Sequence, residues 1–94
     1  MKVIEVHEEN HGLVCIATSV KAGFQYLIKH KWLDFDTEVW VSNDLVKIGQ
    51  LMWRENLDCT KKNLLLWCMA NADSDTLWDG LFYFYGTELH EEEE

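Results

Sequence analysis

The sequence predicts an α+β fold: a small antiparallel sheet, made of an N-terminal hairpin and a C-terminal strand, packed against two or three helices. Three observations predict it. Two short apolar runs, "KVIEVH" and "LVCIATS", flank a polar turn near the N-terminus. Three later stretches carry apolar residues at helical spacing behind Ser, Thr, Asn or Asp caps. Near the C-terminus, "LFYFYG" sets four aromatic residues in succession, a composition that suits a pleated surface. The 94 residues are the length of one compact domain, 1–94.

Each element has its own local reason. Residues 2–7 form the first strand, with Ile4 and Val6 two apart and so on one face. "EENHG" is the turn, where Asn10 and Gly12 tolerate positive φ. "LVCIATS" is apolar without alternation, the pattern of a strand buried on both faces and paired with the first. Thr18 or Ser19 caps a helix through "TSVKAGFQYLIKHKWL". Val20, Phe24, Leu27, Ile28 and Trp32 are its stripe, and Lys29, His30 and Lys31 favour the negative end of its dipole.

A short strand is expected around Val39 to Val41. Asn43 or Asp44 then caps a second helix over "DLVKIGQLMWRENL", with Leu45, Ile48 and Met52 on one face and Trp53 beside them. Thr60 caps a third over "TKKNLLLWCMAN". A buried strand at "NLLLWCM" is the alternative, and Leu, Met and Ala favour the helix. The run Leu64 to Ala70 is apolar on every side, so it belongs at the centre of the fold or under a partner, which includes a homodimer. The acidic connector "NADSDTLWDG" leads into "LFYFYGTEL". That segment fits a strand, although Leu77, Trp78, Leu81, Phe82, Tyr85 and Leu89 also recur at helical spacing; Gly80 and Gly86 count against the helix. Residues 90–94 are expected to be a frayed acidic tail.

Several function classes are disfavoured by composition. No apolar run approaches a membrane span, and "MKVIEVHEEN" lacks the apolar core of a signal peptide. Three cysteines, Cys15, Cys59 and Cys68, with no CxxC, fit a reducing cytoplasm. A calcium loop starting at Asp73 fails, because Leu77, Trp78 and Phe84 stand where a ligand, a glycine and a glutamate are needed. His7 and His11, even with Glu8, Glu9 and His90 near, span a turn and do not share a helix face, so no metal is expected. Cys59, beside Lys61 and Lys62, is the most reactive thiol, and Cys15 and Cys68 are core-like. No glycine pattern cradles phosphate and no serine sits in a nucleophile elbow. The expectation is a non-enzymatic chain without cofactors.

Charge is distributed unevenly. Residues 1–62 hold all eight Lys and Arg against nine acids, and residues 63–94 hold eight acids and no Lys or Arg. Direct nucleic-acid binding needs clustered positive charge, so the balance argues against it. The alternative is a small DNA-binding regulator using residues 44–68, with Lys47, Arg54, Lys61 and Lys62. Surplus acid also serves solubility alone. The functional expectation is a binding module whose acidic C-terminal third engages a basic, nucleic-acid-handling protein surface. Its candidate residues are Asp73, Asp75, Asp79, Glu88 and Glu91, with Trp78 and Tyr85 as aromatic anchors.

Residues 1–33, "MKVIEVHEENHGLVCIATSVKAGFQYLIKHKWL", resemble the opening of small uncharacterised acidic proteins of Gram-positive bacteria and their phages. In those, a hairpin leads through an Ala-Thr-Ser-like step into an amphipathic helix. Such proteins include inhibitors of host defence, among them anti-CRISPR proteins that imitate nucleic acid. The resemblance implies a protein partner in the host and no catalysis.

Overall fold

The computed structural model describes residues 2–74 and 76–88, the last two by backbone alone. The described residues form an α+β fold of five strands and three helices. In chain order these are β1 (Lys2–Glu8), β2 (Gly12–Ala17), α1 (Val20–Lys29), β3 (Glu38–Val41), β4 (Asp44–Lys47), α2 (Ile48–Arg54), α3 (Lys61–Ala70) and β5 (Phe82–Glu88). The expected acidic tail lies outside the described residues. No described helix is long and apolar enough to cross a membrane.

The main sheet has the order β2-β1-β5, antiparallel throughout. The N-terminal hairpin and the C-terminal strand therefore join as expected, with β1 central. Gly12 takes φ +89 where the chain leaves the turn, a backbone state glycine adopts without a Cβ penalty. The burial of β2 differs from the expectation. Leu13 and Ile16 are exposed: they pair with His7 and Glu5 of β1, on the face opposite the buried Val6 that packs against the core.

Helix α1 begins where the sequence indicates: the Ser19 hydroxyl accepts the Ala22 N–H at 3.1 Å. It ends before Trp32. Lys31 enters the left-handed region at φ +63, the Trp32 N–H donates to Leu27 O at 2.8 Å, and the Lys31 N–H donates to Ile28 O at 3.3 Å. That pair of bonds is a Schellman closure built without glycine. Helix α2 closes in the same way, with Asn56 at φ +62 and the Leu57 N–H on Met52 O at 2.9 Å. The Thr60 hydroxyl caps α3 by accepting the Asn63 N–H at 3.1 Å.

The second helix starts later than expected. Asp44 to Lys47 are strand β4, paired with β3 across Ser42 and Asn43. Those two residues take φ +51 and +73, the two-residue hairpin turn whose twist matches paired strands. Asn43 thus serves as a turn residue instead of a helix cap. Leu45, expected on the buried face with Ile48 and Met52, is exposed opposite Trp40.

One buried cluster joins the elements through Val6, Phe24, Leu27, Leu33, Val39, Ile48, Met52, Leu64, Trp67, Cys68, Trp78 and Phe82. The closest approach of α1 to the sheet is at Gly23. A Cβ there would stand 2.9 Å from Phe84 Cε2 and 3.0 Å from Val6 Cγ2. Leu64, Trp67 and Cys68 turn α3 inward, while Leu66 on the same helix is exposed.

Candidate partner-binding surface

Asp79 lines three surface concavities. It lines a groove of about 490 Å³ with Trp40, Leu45, Asp36 and Glu38. It lines a second, with Trp40, Ser42, Asn43 and Thr76. A third, of about 190 Å³, runs from Asp79 along Phe82 to Tyr85 on β5. One acid from the C-terminal third therefore adjoins both the β3–β4 hairpin and the C-terminal strand.

Local structure places each side chain. Asp36 sits in a tight loop held by Asp34 and Thr37: the Asp34 N–H donates to Thr37 Oγ1, and the Asp36 N–H to Asp34 Oδ1, both at 2.9 Å. Glu38 and Trp40 follow at a spacing of two along the chain, so on β3 they share a face, while Val39 between them is buried. The Trp40 N–H donates to Leu77 O at 3.2 Å, which fastens the hairpin to the connector. The connector is itself a run of turns, with the Asp79 N–H on Thr76 O at 3.3 Å and the Leu81 N–H on Trp78 O at 2.9 Å. Lys47 pairs with Asp36 at 3.7 Å, both side chains well exposed. Such a surface pair contributes little, and the same Lys47 stands across the hairpin from Glu38, so the three acids around Trp40 share this nearby cation.

The candidate residues from sequence divide. Asp79 is exposed and central. Asp73 is exposed beyond the end of α3. Tyr85 is exposed on β5, stacked on Tyr83 at 6.3 Å and edge-on to His7 at 5.0 Å. Glu88 ends β5 opposite Lys2, its side chain outside the described residues, as are Asp75 and Glu91 altogether. Trp78 needs correction as an anchor. It is 5% exposed, packs on Phe24, Trp67 and Phe82, and its Nε1–H donates to Asn71 O at 3.0 Å. Its area is already spent in the core. Asp36, Glu38, Trp40 and Leu45 join Asp79 without having been singled out from sequence. The period-two alternation of "DTEVWV" around Val39 was the available signal.

The other reactive groups have structural surroundings. His7 Nε2 lies 3.0 Å from Glu5 Oε1, and the His11 ring packs on Trp32 at 4.9 Å. The Tyr83 hydroxyl donates to Glu9 at 2.7 Å, a bond that raises its pKa. Cys59 is exposed; burial raises the Cys15 thiol and pushes Cys68 from the ordinary 9.0 up to about 12. A thiol with a raised pKa stabilises the fold fully below pH 9. Between about 9 and 12 the unfolded chain releases that proton and the native chain keeps it, so stability falls as pH rises. Over that window the slope due to Cys68 is up to about 1.4 kcal/mol per pH unit. Urea denaturation at stepped alkaline pH is expected to show a shallower decline for Cys68→Ala than for the wild type. Equal declines would mean that the thiol titrates normally in the native state.

Comparison of the chain with protein-family profiles, with curated proteins and with solved structures found no match. The chemistry of the surface is therefore its own evidence. An exposed indole among carboxylates suits a guanidinium or ammonium group. The ring face attracts the cation and the acids complete its hydrogen bonding.

Proposed function

We propose that this chain is a non-enzymatic binding module that takes Lys or Arg side chains of a basic protein surface into the groove around Trp40 and Asp79. One observation carries the reading: Trp40 is exposed between three carboxylates, Asp36, Glu38 and Asp79, and beside Leu45. An exposed tryptophan in that setting combines contact area, cation attraction and orientation in one place. The acidic surplus of the last third adds a long-range field that attracts a basic partner. A partner that handles nucleic acid presents such a surface, and carboxylates occupying it would block its own ligand. Inhibition is accordingly the role proposed, in line with the resemblance of residues 1–33 to small phage-type proteins.

The test is affinity capture from bacterial lysate at low and high salt, with captured proteins identified and their affinity then measured in purified form. Three chains are compared: wild type, Asp36→Asn/Glu38→Gln/Asp79→Asn, and Trp40→Ala. The expected result is a basic nucleic-acid-handling protein that binds wild type, weakens with salt, and loses at least about tenfold in affinity for either variant, roughly 1.4 kcal/mol. Equal affinity of all three chains for whatever is captured overturns the proposal. The DNA-binding alternative is checked with the same chains by a gel shift at low salt.

A further inference from the structure

We infer that β5 is a docking edge, and that the partner adds an extended, lysine- or arginine-bearing segment to it as a fourth strand of the main sheet. This inference rests on the basic-partner reading above and specifies how such a partner is held. The hydrogen-bonding register gives the first argument. The Glu9 N–H donates to Leu81 O at 2.9 Å, and β1 and β5 pair in continuous register from Glu8–Phe82 to Lys2–Glu88. In an antiparallel ladder alternate residues bond to the neighbouring strand. Tyr83 and Tyr85 therefore bond to β1, and Phe84 and Gly86 turn their N–H and C=O groups outward. Phe82 also faces outward, and its N–H is taken by Trp78 O at 3.3 Å. Among the described residues no backbone partner meets the outward groups of Phe84 or Gly86.

Composition gives the second argument. Edge strands are normally blunted by lysine, proline, a bulge or short length. β5 runs seven residues as "FYFYGTE", with no Lys, no Pro and no shift in its register with β1. Space gives the third. The 190 Å³ concavity follows Phe82 to Tyr85 and is walled by Ala72, Ser74 and Trp78, so it can receive a side chain from an added strand. A Cβ built on Gly86 meets nothing within 4 Å, so the sheet face beside the edge is open there.

Charge selects the occupant. Asp79 stands at one end of the edge, and the sequence beyond Gly86 carries Glu88 and Glu91 to Glu94 without a lysine or arginine. Two copies joined edge to edge would set two chains of net charge −9 against each other. A basic segment is attracted to such a chain instead. Main-chain bonds would supply affinity, and alternate side chains would supply selectivity.

The test uses the full-length chain and a synthetic eight-residue peptide of alternating Lys and Val, with a second peptide N-methylated at every other residue. Gly86→Pro removes an outward N–H and leaves the β1 ladder intact; Gly86→Ala adds a methyl group in open space. Circular dichroism checks that both variants fold. The expected result is peptide binding at low salt that falls at least about tenfold for Gly86→Pro and for the N-methylated peptide, but not for Gly86→Ala. Slowed amide exchange at Phe84 on binding is expected with it. If Gly86→Pro and N-methylation leave the affinity unchanged while Asp36→Asn/Glu38→Gln/Asp79→Asn lowers it, edge pairing is overturned and the acidic-groove reading stands. If the acid variant retains affinity and the edge changes lower it, the groove reading fails and the edge remains. Absence of any peptide binding at low salt overturns both.

Discussion

Replacing Phe24 by alanine is expected to cost about 3–5 kcal/mol of stability. The side chain is fully buried and touches both halves of the fold. Its ring lies 4.7 Å from Phe84 on β5 and 5.4 Å from Trp78 in the connector. One truncation therefore removes packing between α1, the sheet and the turn that carries Asp79. The neighbours cannot collapse readily into the space, because Gly23 already holds α1 against Val6 and Phe84. Cavities that do not collapse lie at the upper end of the range for lost aromatic side chains. Urea or guanidinium denaturation measures the change. A loss well under 1 kcal/mol would mean that the helix does not depend on this contact.

The second large effect separates two tryptophans. Trp78→Ala is expected to lose about 3–5 kcal/mol, and Trp40→Ala to stay within about 1 kcal/mol of the wild type. Trp78 packs on three aromatic rings and gives its indole N–H to Asn71 O. Its loss would leave that carbonyl without its indole partner as well as opening a cavity. Trp40 is 39% exposed and lies on the outer face of β3. For binding, the order reverses: Trp40→Ala should abolish or strongly weaken capture of a basic partner. Thermal melts of both variants, followed by affinity measurement on the folded Trp40→Ala chain, check the pair. Comparable melting temperatures for the two would contradict the division into core and surface tryptophan.

The candidate site was only partly legible in the chain. Asp79 was picked out by its place in the acidic third, where a one-dimensional charge count is enough. Asp36 and Glu38 were not, because they lie in the balanced part of the chain, where Lys47 and others offset them. They become part of one surface through the folding of the β3–β4 hairpin back onto the connector by the Trp40–Leu77 backbone bond. Trp78 was misassigned for a related reason. In sequence it is an aromatic residue among acids, and nothing local says that its ring turns toward Phe24 while the acids turn outward.

The sequence by itself determined the features governed by short-range physics. The N-terminal hairpin and the Ser19 and Thr60 caps follow from neighbours within a few residues, whereas "FYFYGTE" only favoured a strand over a helix that its spacing left open. Phe24, Leu27, Ile48 and Met52 were recognisable as core from helical spacing alone. The tertiary structure decided the rest. It ended α1 and α2 at Lys31 and Asn56, non-glycine residues whose left-handed conformation is fixed by the packing that follows them. It turned "DLVK" into a strand, because a partner strand across Ser42 and Asn43 outweighed helical spacing. It exposed Leu13 and Ile16 by pairing them with His7 and Glu5 on the face away from Val6, and it brought Asp36, Glu38 and Asp79 around Trp40. Spacing along a chain specifies which residues share a face. Which faces stay open to water depends on how many elements are available to cover them, and that is a property of the assembled fold.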